Sequence, residues 1–152
     1  MISGAQLSGT GAFKIAVQAD GLAIIVKSLD TFGSTVFNYC APMSSLAWPC
    51  FSIILSSSTG SSSFDPNDIG TIALDNSNPQ RLYVNSFDGS GNYLNYVCDS
   101  SSFSCTDVPV LDTLLTNLGV GYFSAYAFDN NNRMYVSATV NGAPVIYECD
   151  LA

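Results

Sequence analysis

The sequence predicts an all-β protein built from three antiparallel, four-stranded repeats, with one short helix near residues 111–118. Three observations predict it. Only 11% of the 152 residues are charged, against about 25% in an ordinary globular chain. Uncharged Ser, Asn, Thr, Gly and Tyr must therefore carry the polar surface, which suits strands and turns better than amphipathic helices. Short runs rich in Val, Ile and Tyr alternate with Gly, Asn, Asp and Ser clusters, the pattern of strands joined by tight turns. The same order of runs recurs three times with a period of about 55 residues, as a repeat architecture does.

Each repeat opens on an apolar–Ala–apolar–polar strand: Ile15-Ala16-Val17-Gln18, Ile72-Ala73-Leu74-Asp75 and Tyr126-Ala127-Phe128-Asp129. Turn-forming clusters follow, at Ala19-Asp20-Gly21, at Asn76 to Pro79 and at Asn130 to Asn132. A second strand comes next: Ala23 to Val26, Arg81 to Val84 and Arg133 to Val136. A third ends on a cysteine, at Val36 to Cys40, Tyr93 to Cys98 and Val145 to Cys149. The spacing from Val26 to Cys40 equals that from Val84 to Cys98, and Val136 to Cys149 is one residue shorter. The repeats span approximately 11–55, 68–111 and 122–152, within a single domain of residues 1–152.

In the first two repeats a second cysteine follows a short loop, Cys50 after Cys40 and Cys105 after Cys98. Fourth strands are expected at Phe51 to Leu55 and at Val108 to Leu111, the latter on a sheet edge because Pro109 cannot donate to a ladder. Two local disulfides, Cys40–Cys50 and Cys98–Cys105, would staple strands three and four and place the protein in an oxidising, extracellular or cell-surface compartment. The third repeat shows no fourth strand, and Cys149 is left as a free or intermolecular thiol. The segment Ile2 to Ser8 belongs to no repeat and can supply the missing strand, in the same chain or in a neighbouring one. Leu111, Leu114, Leu115 and Leu118 keep helical spacing, with Asp112 near the start and Gly119 at the end. That helix is expected to cover a groove between repeats.

The stretches Ala127 to Val136, and Ala73-Leu74-Asp75 through Tyr83-Val84, resemble the inner strands of NHL-type and related β-propellers. Those families repeat an Ala–apolar–Asp, a Gly or Asn turn and then apolar–Tyr–Val. The resemblance spans residues 13–150 and implies blade-like units of a partial propeller or propeller-like array; it implies no activity. Ser28-Leu29-Asp30-Thr31-Phe32-Gly33 and Ser86-Phe87-Asp88-Gly89-Ser90-Gly91 are similar to the Asp-box of sialidase-like propellers, one residue too long and without its Trp. Sialidases clamp the substrate carboxylate with three arginines, and Arg81 and Arg133 alone do not supply them.

Composition excludes several functions. The formal net charge is -8 with four cations, so neither nucleic acid nor an anionic membrane surface is an expected partner. No apolar run approaches the roughly 20 residues of a membrane-spanning helix. The chain contains no histidine, which removes the commonest general base and the Ser–His and Cys–His pairs. Asp20, Asp75 and Asp129 sit at equivalent turns and are read as Asx turns. No catalytic residues are assigned and no cofactor is required. Asp65, Asn67, Asp68, Asp88 and Asn92 offer oxygen ligands of the kind Ca²⁺ takes, yet suit turns equally. Trp48, Tyr93 and Tyr122 are the candidate stacking platforms for a sugar or protein partner. The run Ser56 to Ser63 reads as a solvated loop or an O-glycosylated surface.

The expected function is that of an extracellular, non-enzymatic structural protein whose partner is itself, joined into an oligomer or filament by strand completion at a sheet edge. The alternatives are a lectin-like module binding glycans or proteins, and a fragment of a larger propeller glycoside hydrolase.

Overall fold

The computed structural model describes residues 14–17, 24–29, 32, 34–40, 50–57, 64–65, 69–77, 80–87, 93–117 and 122–149. These form twelve strands and one helix. The first sheet is a meander of β1 (Lys14–Val17), β2 (Ile24–Leu29), β3 (Thr35–Cys40) and β4 (Cys50–Ile53), paired in that order. The third is a meander of β10 (Tyr122–Phe128), β11 (Met134–Val140) and β12 (Ala143–Cys149). The second sheet holds β6 (Thr71–Leu74), β7 (Arg81–Phe87), β8 (Tyr93–Asp99) and β9 (Ser104–Asp107), with β5 (Ser56–Ser57) added to β9 in parallel. All other pairings are antiparallel.

The registers superimpose. Ala16 stands opposite Ile25, Ala73 opposite Tyr83 and Ala127 opposite Tyr135. Cys40 faces Ile24, Cys98 faces Leu82 and Cys149 faces Met134. Because side chains alternate along a strand, this shared register gives each sheet two corresponding faces. One face carries Ala16, Ile25, Phe37 and Tyr39 in the first sheet, and Ala73, Tyr83 and Val97 in the second. The other carries Ile72, Leu82, Val84, Tyr96 and Cys98 in the second sheet, and Tyr126, Met134, Val136, Tyr147 and Cys149 in the third.

These faces make two cores. In the first, the Ala16 face of sheet one packs on the Ile72 face of sheet two. In the second, the Ala73 face of sheet two packs on the Tyr126 face of sheet three. Sheet two is therefore buried on both sides, and every residue of β6 is buried. Strand β6, at one edge of sheet two, touches both β1 and β10.

The helix expected near 111–118 is α1, Pro109–Asn117; Leu118 lies outside the described residues. The strand expected at Val108 to Leu111 is a correction: the fourth strand of the second unit is β9, and Pro109 opens the helix instead. Proline suits the first helical position, where no N–H is needed, and the Val108 carbonyl accepts from Leu111 N and Asp112 N. Leu111 and Leu115 are buried in the second core, each worth about 1.5–3 kcal/mol relative to exposure. The helix takes up β8 where β9 leaves it. Val108 N donates to Asn95 O, and the Asp112 carboxylate accepts from Asn95 N at 2.8 Å and Asn95 Nδ2 at 2.6 Å. Tyr126 Oη donates to Asn95 Oδ1, tying sheet three into the same buried network. Burial raises the Asp112 pKa against the lowering effect of these hydrogen bonds.

The last hairpin is the tightest. Val140 pairs with Ala143, leaving Asn141 and Gly142 at φ 50° and 81°, the left-handed pair that matches strand twist in a two-residue turn.

Candidate functional site

Cross-strand register builds the cysteine sites. Cys40 lies directly opposite Cys50, and Cys98 opposite Cys105. The structure joins both pairs, with Cα–Cα distances of 4.1 and 3.9 Å, close to the spacing of non-hydrogen-bonded antiparallel pairs. In each case the bridge fastens the fourth strand of the unit to the third. Cys149 occupies the corresponding register on β12, but among the described residues β12 pairs only with β11. Its thiol is free and buried.

Burial raises the Cys149 thiol above its ordinary range, so at neutral pH it is a packed, protonated thiol rather than a nucleophile. Its contribution to stability is complete below the ordinary thiol pKa and is lost as pH rises from that value through the raised one. With an aromatic disulfide reagent at pH 7.5, native protein is expected to react at one thiol per chain at least about tenfold more slowly than urea-unfolded protein. Equal rates would place Cys149 at the surface.

The two aspartate turns are built alike. Asp75 Oδ1 accepts from Ser77 N, Ser77 Oγ and Arg81 N, while Oδ2 pairs with Arg81 Nε at 2.8 Å. Asp129 Oδ1 accepts from Asn131 N and Arg133 N, and Oδ2 pairs with Arg133. Each arginine then lies over the tyrosine two residues on, Tyr83 or Tyr135. Both carboxylates are thus occupied in closing their own turns; Asp20 lies outside the described residues. The two turns also meet. Asn76 N donates to Asn132 Oδ1 at 3.0 Å and Asn76 Nδ2 to the Asp129 carbonyl at 2.6 Å, with Asn132 in the left-handed region.

Other candidate residues fall elsewhere. Tyr93 is half-buried against the second core. Tyr122 is the first residue of β10, described in its backbone alone, and Trp48 lies outside the described residues. Of the calcium candidates, Asp65 is exposed, and Asn67, Asp68, Asp88 and Asn92 lie outside the described residues. Among those described, no three His, Cys, Asp or Glu side chains gather as a metal site. Of the serine-rich run, Ser56 and Ser57 form β5, and residues 58–63 are outside the description.

Two polar arrangements carry no obvious sequence signal. One is the Asn95–Asp112–Tyr126 network. The other is Asp99, whose carboxylate accepts from the hydroxyls and backbone amides of Ser101 and Ser102 inside the second disulfide loop. Those bonds, the Ser101 hydroxyl first, lower its pKa to about 2. The run of serines after Asp99 was the available hint, since Ser and Asp close such turns on their own backbone.

Strands β1, β6 and β10, with Asn76, line a cavity of about 170 Å³. No helix among the described residues is long and apolar enough to cross a membrane. Two disulfides suit an oxidising environment. No protein-family model, no curated protein and no solved structure matches this chain.

Proposed function

We propose that the chain is a non-enzymatic, extracellular structural subunit that assembles with copies of itself by completing an open sheet edge. Its three units act as blade-like repeats of propeller type, with β1, β6 and β10 innermost. One observation carries the reading: among the described residues, β12 has no strand beyond it at the register where β3 and β8 each hold a disulfide-anchored fourth strand. An edge of unpaired N–H and C=O groups is a template for another strand. Four Lys and Arg residues in 152 leave few of the charges that ordinarily block such pairing. The donor is the segment Ile2 to Ser8 of a neighbouring copy, which lies outside the described residues.

Light scattering and negative-stain microscopy of the full chain and of a variant lacking residues 2–8 test it. The full chain is expected to form oligomers or filaments, and the deletion to give monomers that keep both disulfides and the native circular dichroism spectrum. Assembly that survives the deletion overturns strand donation. A full chain that stays monomeric at every concentration overturns self-assembly itself.

A further inference from the structure

The face that packs unit one on unit two is the same face, by register, that packs unit two on unit three. Each interface sets the Ala-bearing face of one sheet against the opposite face of the next. Two faces remain over: the second face of sheet one and the Ala-bearing face of sheet three.

Apolar side chains stand open on both remaining faces, beside Glu148 next to Tyr135 on sheet three and the buried Asn38 and Cys40 on the third strand of sheet one. On inner strands, Ile72 and Tyr126 are 5% and 6% exposed where they meet a neighbouring unit, whereas Ile15, at the same position of sheet one, is 60% exposed. Leu74 is 4% exposed and its counterpart Val17 54%. On third strands, Phe37 and Asn95 are 2% and 1% exposed, and their counterpart Ile146 is 75% exposed. Ala16 and Ala73 are buried, and Ala127 is exposed. Apolar side chains at these positions are those of a buried face, left without its cover.

We infer that the exposed face of sheet three, at Ala127, Tyr135 and Ile146, docks on the exposed face of sheet one, at Ile15 and Val17, of a second copy of this chain. The occupant follows from continuity with the two interfaces already inside the molecule: whatever covers Ile15 and Val17 must present the Ala-bearing face of a preceding unit, and sheet three has that face open. Contact is head-to-tail, so it either closes a ring of copies or runs on as a filament. The inference rests on the self-assembly reading and names a surface separate from the β12 edge.

The contact to trap is known from its internal copy. Tyr83 of sheet two packs on Phe128 of sheet three with ring centroids 4.9 Å apart. By register, the corresponding pair across the new interface is Tyr135 of one copy and Val17 of the next. In a Cys149→Ser background, Val17→Cys and Tyr135→Cys proteins are prepared separately and mixed under mild oxidation. The expected product is a mixed disulfide dimer, formed at least tenfold faster than either variant alone dimerises. Separately, Val17→Asp and Ile146→Asp, both at exposed positions and hence compatible with folding, are expected to reduce assembly at least tenfold in concentration dependence by sedimentation velocity. Assembly that is lost on deleting residues 2–8 yet indifferent to both aspartates, with no mixed disulfide, overturns this interface and leaves strand completion standing. A full chain that never assembles overturns both.

Discussion

Replacing Cys98 and Cys105 together by alanine is expected to cost about 2.5 kcal/mol of unfolding free energy, and replacing all four bridging cysteines about 5 kcal/mol. The bridges close short loops, with sequence separations of 7 and 10, for which loss of denatured-state entropy gives roughly 2.5 kcal/mol each. A domain's whole stability is about 5–15 kcal/mol, so the quadruple variant loses a third of it or more. The two bridges are not equivalent in what they hold. Cys98 and Cys105 are both fully buried in the first core, and β9 carries β5 on its far side. Beyond Cys50, β4 presents Phe51 and Ser52 to solvent, so little apolar burial retains it once its bridge is gone. The Cys98→Ala/Cys105→Ala variant should lower the Tm by about 5–10 °C with a cooperative transition. In the Cys40→Ala/Cys50→Ala variant, amides of β4 should exchange ahead of global unfolding. Alanine avoids burying a hydroxyl in place of sulfur. Urea denaturation of each variant measures the cost, and a change below about 1 kcal/mol for the Cys98–Cys105 pair would contradict the entropic argument.

Much of this architecture is legible in the sequence because sheet register preserves it. Ala16 and Ala73 are small where adjacent units approach, Ala127 keeps the same register on an open face, and the Val–Cys spacing recurs because each hairpin returns its cysteine beside the second strand. The fourth strand of unit two was misplaced for a physical reason. Ser104 to Asp107 is a short, largely polar strand between β8 and the two-residue β5, so its only apolar mark is Cys105. Val108 to Leu111 looks more strand-like, yet Pro109 serves equally well at a helix start, and the spacing of Leu111 and Leu115 decides for the helix. Head-to-tail packing of faces was not legible, because strands of sheet two are apolar on both sides and alternation carries no direction. Nor was Asn95: a polar residue in a strand gives no hint that Asp112 and Tyr126 will satisfy it. The aspartate turns were legible as turns. That the Asp75 carboxylate is buried and that of Asp129 partly open depends on which units are stacked, and no local pattern records that.

That difference in stacking separates two chemically matched substitutions. Asp75→Ala is expected to cost about 3 kcal/mol, because it strips a fully buried acceptor from Arg81 N and Ser77 N, at about 1–3 kcal/mol for each backbone donor that loses it, while the half-exposed Arg81 guanidinium turns to water. Asp129→Ala removes the same bonds from Asn131, Arg133 N and the Arg133 guanidinium. The two arginines are about equally exposed, but there the carboxylate is a quarter exposed rather than buried, so water replaces most of what is lost and the effect should fall within the scatter of surface substitutions. Hydrogen bonds from Arg133 hold the Asp129 pKa below the ordinary aspartate value. Its contribution is therefore complete above that value and disappears as pH falls through the lowered one, so Asp129→Ala should matter less at pH 2 than at pH 7. Urea unfolding of both variants at low protein concentration measures the contrast, and equal costs would sink the burial argument. The same pair reports on assembly. Asp75 is covered because sheet three lies over its turn, through the Asn76–Asn132 contact and the packing of Tyr83 on Phe128. If sheet one of a second copy covers sheet three in the same way, the Asp129 turn becomes buried too. The cost of Asp129→Ala should then rise with protein concentration towards that of Asp75→Ala, while the cost of Asp75→Ala itself stays constant.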